Sequence, residues 1–173
     1  FMFVLAFVTF GIANAEAKDI KVGIILGFTG PIESLTPDMA AGAELAFAEA
    51  SNSGALLGGS TISVSRADST CIDSAAATTA AEGLVSEGVT AIVGADCSGV
   101  TGAVLANVAV PKGVPMISPS ATSPALTTAE DNGLFFRTAP SDARGGEVLA
   151  DITADRGVSS VAITYVNTDY GVG

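Results

Sequence analysis

Ser98, Ser120 and Thr122 are the side chains in this sequence best suited to hold a small polar molecule. Ser98 follows the apolar run Thr90–Gly94 and opens a helix-forming stretch. The backbone N–H groups at such a start are unpaired and carry partial positive charge, which suits a carboxylate or another anion. Ser120, Ala121 and Thr122 lie within "VPMISPSATSPALT" (Val114–Thr127), where an apolar strand pattern runs straight into small hydroxyl residues and prolines. Small side chains let a ligand approach the backbone, each hydroxyl adds a donor and acceptors, and Pro119 and Pro124 stiffen the loop's path. Tyr170 adds a ring that can cover the apolar part of a ligand. The plainer alternative is that Ser98 only caps its helix, Ser120–Thr122 only form a turn, and Tyr170 is only an exposed loop residue. Asp68, Asp73 and Asp96 also fall near strand ends and read as solvated or helix-capping carboxylates.

Other chemistries lack their parts. The sequence has no histidine, which removes Ser-His-Asp and Cys-His catalysis and most transition-metal sites. No GxxxxGK[ST] phosphate loop occurs, and no GxGxxG follows the first strand pattern. The reading is therefore a non-enzyme with no cofactor and no metal. A formal net charge of −11 repels nucleic acid phosphates and anionic lipid, so neither is expected as a partner.

The elements that must carry these residues alternate. Strand patterns cover Ile20–Leu26, Thr61–Asp68, Thr90–Gly94, Val114–Ser118 and Ser159–Val166, with a short extended segment at Leu134–Pro140. Helix patterns cover Asp38–Gly54 (capped by Asp38, with Leu45 and the alanines inward), Asp73–Gly88, Ser98–Gly113 and Ser141–Gly157. Such alternation, with nearly continuous apolar strands, predicts an α/β fold: a parallel sheet covered by helices on both faces. Ligands of such sheets sit outside the carboxyl ends of the strands. The loops Gly27–Pro37, Gly94–Ser98, Ser118–Thr122 and Asn167–Gly173 leave strands at that edge.

The apolar run Phe1–Ile12 is too short to span a bilayer as a helix and ends in Ala13-Asn14-Ala15, a signal-peptidase pattern. Residues 1–15 are thus expected to be a signal peptide cleaved after Ala15, its basic leading region missing from this sequence. The residue directly after the cleavage point is Glu16, not a cysteine, which argues against a lipid anchor. In an exported, oxidising setting Cys71 and Cys97 read either as a disulfide or as two buried thiols.

"IKVGIILGFTGP", "GAELAFAEAS", "ISPSATSPALT", "FFRTAPSD" and "DYGVG" occur in this order. Together they make the chain resemble the N-terminal part of periplasmic solute-binding proteins of the leucine/isoleucine/valine-binding (LivJ/LivK-like) type. The resemblance implies a bilobal periplasmic binding protein fold of type I, two α/β lobes closing on a ligand across a hinge. It implies that 19–137 form most of lobe one, and 138–173 a hinge crossing and the start of lobe two. It further implies that Ser98, Ser120, Ala121 and Thr122 bind an amino acid's carboxylate and ammonium, that Tyr170 contacts the ligand from lobe two, and that Cys71 and Cys97 are disulfide-bonded. The implied partners are a small-molecule ligand and the permease subunits of an ABC importer in the inner membrane, with the binding protein periplasmic and monomeric.

Two positions depart from that pattern. Leu35 stands where branched-chain binders place an aromatic residue, and Asp96 sits two positions before Ser98, where an acid disfavours an anionic ligand unless it points away. Both are possible specificity contacts. A branched-chain amino acid is the leading ligand, with short amides or urea as the alternative. A sensor domain of the same fold is the other functional reading.

Overall fold

The computed structural model describes residues 17–173, so the expected signal segment at 1–15 lies outside the described residues. Five parallel strands, β1 (Asp19–Leu26), β2 (Thr61–Asp68), β3 (Ala91–Gly94), β4 (Met116–Ser118) and β5 (Phe135–Arg137), form one sheet in the order β2-β1-β3-β4-β5. The β1–β2 register runs from Asp19 opposite Thr61 to Leu26 opposite Asp68. Val22 to Ile25 of β1 pair with Ala91 to Gly94 of β3 on its other side. The extended segment expected at Leu134–Pro140 turns out to supply the fifth strand, with Ser118 opposite Arg137.

Period-two alternation sorts the strand side chains onto two faces. Ile25, Ile92 and Met116 pack with Ala77, Ala81 and Leu84 of α2 (Ser74–Ser86) and with Val100 and Val104 of α3 (Ser98–Val104). Ile24, Leu26, Val64 and Val93 pack on the opposite side with Ala40, Ala43 and Phe47 of α1 (Thr36–Asn52). Ile24, Ile25 and Leu26 are fully buried, and burial of each such side chain stabilises by roughly 1.5–3 kcal/mol. The second face is covered only over part of its width. Ile117 and Phe136 remain 39% and 57% exposed there, beside an apolar groove of about 250 Å³.

Several local expectations need correction. Helix α1 begins at Thr36 with Leu35 in the capping position and no side-chain cap, so Asp38 lies in its first turn instead of capping it. Leu45 is 61% exposed. At 3.6 residues per turn it lies about 140° around the helix from the buried Ala40, and Ala43 and Phe47 take the inner face instead. Asp73 does cap α2, accepting hydrogen bonds from the N–H groups of Ala75 and Ala76. The stretch Ser98–Gly113 is helical as read, with an internal change. α3 runs into a π-helical turn at Leu105–Ala109 and then α4 (Val110–Lys112), which Gly113 ends in the left-handed conformation. Pro111 has no N–H and its ring crowds the preceding turn, a common cause of such a widening.

After Arg137 the chain crosses into α5 (Asp142–Asp155), capped by Ser141, whose side chain accepts from Ala143 N–H. No residue of α5 is buried. The run Ser159–Val166 has a strand's composition but forms no strand. A strand's N–H and C=O groups need a neighbouring ladder. Among the described residues no segment supplies one, and Val161, Ile163, Tyr165 and Val166 are exposed. The loop Asn167–Gly173 contains one helical turn, α6 (Asp169–Val172), capped by Thr168.

Candidate ligand-binding site

Strand order reverses between β1 and β3, so their carboxyl ends splay apart and leave a crevice there. Asp96 fills it. Its carboxylate is 2% exposed and accepts hydrogen bonds from Gly27 N–H at 2.7 Å, Cys97 N–H at 2.9 Å and the Ser69 hydroxyl at 3.2 Å. The expectation that Asp96 is a solvated carboxylate is therefore corrected. Its oxygens face three internal donors on three different loops. Nearby, Asp68 accepts from the Thr29 hydroxyl at 2.6 Å and from Thr70 N–H at 2.8 Å. Partial burial pushes its carboxyl up, but these hydrogen bonds outweigh that and hold it below the usual carboxylate range.

Cys71 and Cys97 are disulfide-bonded, with Cα atoms 5.2 Å apart. Cys97 is the residue that precedes α3, so the bond ties the loop after β2 to the backbone that presents Ser98. Closing a span of 26 residues restricts the unfolded chain by about 3.5 kcal/mol in the chain-entropy account. Replacing both cysteines by serine is expected to lower unfolding stability by that amount in urea titration. Added reductant should destabilise the native protein similarly and leave the double variant unaffected. A native protein indifferent to reductant would refute the expectation.

The structure brings Ser98 and the Ser120–Thr122 loop together. The Ser98 hydroxyl does not cap its own helix; it accepts a hydrogen bond from Ser123 N–H at 3.1 Å. Among the described residues no acceptor takes its proton, so a donor is available for a ligand. The buried Ser118 hydroxyl donates to the Ala95 carbonyl and accepts from Ala121 N–H, folding the loop back over the end of β3. Ser120 donates to the Asp96 carbonyl at 3.0 Å, and Ala121 is fully buried. Thr122 donates to Oδ2 of Asp142 at 2.6 Å. Arg137 donates to the carbonyls of Ala121 at 3.2 Å and Ser123 at 2.9 Å.

Helix α6 lies against the start of α3. A methyl group placed on Gly99 would come within 2.9 Å of the Asp169 carboxylate, and one on Gly173 within 2.7 Å of Pro124. Between them opens a cavity of about 510 Å³, lined chiefly by Ser98, Ser123, Leu126, Asp169 and Val172. Tyr170 is 55% exposed and Leu35 is 55% exposed, and neither lines this cavity. Tyr170 sits on the turn whose neighbours Asp169 and Val172 do, whereas Leu35 stands apart at the start of α1.

Sequence reasoning passed over Ser118, Ser123, Arg137 and Asp142. Arg137 had a faint signal, as one of only seven basic residues and the one that follows the apolar pair Phe135-Phe136. Chemically, the arrangement offers a hydroxyl donor, helix N-terminal N–H groups and small side chains beside an apolar wall. That set, with the Asp169 carboxylate in the same lining, could accept a small polar molecule with an apolar portion. Among the described residues no three His, Cys, Asp or Glu side chains come together as metal ligands.

The model of the periplasmic binding protein family matches residues 19–173. The Leu/Ile/Val-binding protein homolog 3 of Brucella melitensis is 31% identical over 168 residues, 95% of this chain and 44% of that protein. A branched-chain amino acid transporter substrate binding protein, LivJ, from Streptococcus pneumoniae, solved in complex with isoleucine, superposes with a TM-score of 0.70. It is 32% identical, and the match covers 80% of this chain and 38% of that one. An ABC transporter substrate-binding protein from Desulfitobacterium hafniense, solved in complex with Leu, gives a TM-score of 0.74 at 28% identity, covering 90% and 44%. The chain thus spans less than half the length of these relatives, and it belongs to the periplasmic binding protein family.

Proposed function

We propose that this protein is an extracytoplasmic receptor that captures an amino acid, branched-chain foremost, and hands it to an ABC importer. The observation that carries this reading is the junction of Ser98 with the Ser120–Ser123 loop. A hydroxyl whose proton finds no acceptor among the described residues stands there at the first turn of α3, beside a cavity with an apolar wall. A ligand carboxylate accepts from such donors, and an aliphatic side chain fills such a wall. Relatives named for leucine, isoleucine and valine, and solved relatives holding isoleucine or leucine, support the same ligand class. In this reading 19–137 belong to one lobe, and 138–173 to a hinge crossing and the start of the second. Tyr170 reaches the ligand from the second lobe when the two close, and Leu35 bears on the ligand's side chain. The protein works as a periplasmic monomer, exported by the leading segment and docking on permease subunits.

The test is a thermal-shift and calorimetric screen of the full-length mature protein against leucine, isoleucine, valine, alanine, glutamate, short amides and urea. A true ligand at 100 times its dissociation constant stabilises the fold by about 2.7 kcal/mol, a clear rise in midpoint. The expected result is a shift with leucine, isoleucine or valine. A shift with an amide or urea alone would replace the ligand class, and recovery of a chemically altered ligand would overturn the receptor reading.

A further inference from the structure

The segment that leaves the sheet after β5 is bonded at both of its ends to the loop that carries the candidate ligand contacts. Before the crossing, Arg137 spreads its guanidinium over the carbonyls of Ala121 and Ser123 and donates to the Thr127 hydroxyl. Within it, Thr138 N–H donates to the Ser118 carbonyl at 3.1 Å and its hydroxyl to the Pro119 carbonyl at 3.2 Å. After it, Asp142 takes the Thr122 hydroxyl at 2.6 Å and returns its own N–H to the Thr122 carbonyl at 3.0 Å. Every residue from Ser118 to Ser123 except Ser120 therefore has a direct bond to the crossing or to a residue flanking it, and Ser120 is held to Asp96.

We propose that Arg137 and Asp142 are positioning residues: they hold the Ser118–Ser123 loop in its binding geometry and couple it to the crossing into α5. The proposal rests on the receptor reading for its functional half only. Arg137 suits the task because its planar fork reaches two carbonyls at once, whereas an ammonium reaches them as a single point. Asp142 suits it because one residue, at the first turn of α5, answers both the hydroxyl and the carbonyl of Thr122. Any rotation of α5 about the crossing has to stretch or release the Thr122–Asp142 pair. The orientation of the Thr122 hydroxyl thus depends on where α5 stands. A ligand that engages this hydroxyl biases the crossing, and the crossing in turn biases the loop.

The experiment uses the full-length protein and the variants Arg137→Met, Arg137→Lys, Asp142→Ala and Asp142→Asn. Hydrogen exchange is followed in the absence of ligand at the amides of Ala121 and Ser123, which are bonded to Ser118 and Ser98, and at amides of β1 and β3. Arg137→Met and Asp142→Ala are expected to speed exchange at Ala121 and Ser123 about tenfold with β1 and β3 unchanged, and Lys and Asn to restore part of the protection. L-Leucine affinity, read by calorimetry, should fall about tenfold in the same two variants and recover in the conservative ones. Loop exchange that rises no more than that of β1 and β3 would overturn the positioning role. So would a loosened loop with unchanged leucine affinity. If the unmodified protein binds neither leucine nor any other member of the screen, the receptor reading and the functional half fail together. The exchange measurement then still decides whether these two residues hold the loop.

Discussion

Gly94→Ala is expected to lower unfolding stability by more than about 4 kcal/mol, a large share of the roughly 5–15 kcal/mol that holds an ordinary domain folded. Gly94 closes β3 opposite Ile25 of β1, at a φ of +126°, a backbone region that side chains rarely enter. A methyl group there would lie 1.9 Å from the Ile25 carbonyl oxygen and 2.9 Å from the Ile25 Cγ2 methyl. Neither neighbour can yield cheaply. Moving Ile25 pulls a fully buried side chain from the core, and moving its carbonyl opens the β1–β3 ladder. Turning the Gly94 backbone instead redirects the chain just before Asp96, Cys97 and Ser98, the residues that set the site. Gly88→Ala makes the matched control. Its φ is +86° and nothing lies within 4 Å of the added methyl, so only the left-handed conformation is penalised, by about 1–2 kcal/mol. Urea titrations of both variants compare the two. A Gly94→Ala protein no less stable than Gly88→Ala would mean that β3 leaves the sheet by another path.

Much of the sheet was legible because its strands announce themselves. "IKVGIIL" and "TAIVG" are β-branched runs that stop at glycine, and a doubly covered strand needs such a run. Caps were legible where a side chain makes them, as at Asp73 and Ser141, and not at α1 and α3, where Leu35 and Cys97 occupy the position without a side-chain bond. The inner face of α1 was misjudged because Leu45 is the larger side chain. Close helix–sheet packing took Ala40 and left Leu45 outside. Ser159–Val166 shows the limit of local pattern most plainly, since its composition favours a strand but pairing is a property of a neighbour. In the candidate site, the nearness of Ser98 to the Ser120–Thr122 loop was legible because hydroxyls crowd the ends of two strands. That Arg137 and Asp142 secure this loop follows from the β4–β5 pairing, and three-residue strands leave almost no mark in a sequence.

Asp96→Ala is expected to cost roughly 3–5 kcal/mol of folding stability without changing which ligand the protein prefers. The substitution removes the acceptor for three donors at once: Gly27 N–H after β1, the Ser69 hydroxyl after β2 and Cys97 N–H before α3. The site is almost closed to solvent, with Asp96 2% exposed and Ser69 fully buried. Gly27 N–H and the Ser69 hydroxyl therefore cannot turn to bulk water, and each buried unpaired group costs about 1–3 kcal/mol. Asp96→Asn keeps one acceptor oxygen but brings an NH2 group to a place where only donors converge, so it should fall between Ala and the native residue. The two variants separate a structural acid from a specificity contact. A structural acid predicts graded loss of stability and one ligand preference throughout, with affinity falling only as far as the Cys97–Ser98 backbone loosens. A contact acid predicts near-native stability with a changed preference, because removing the charge would admit anions that it had repelled. Urea titration together with the ligand screen on both variants distinguishes them. A stable Asp96→Ala protein with altered ligand order would return Asp96 to the binding surface, and the three internal hydrogen bonds would then not describe the protein in solution.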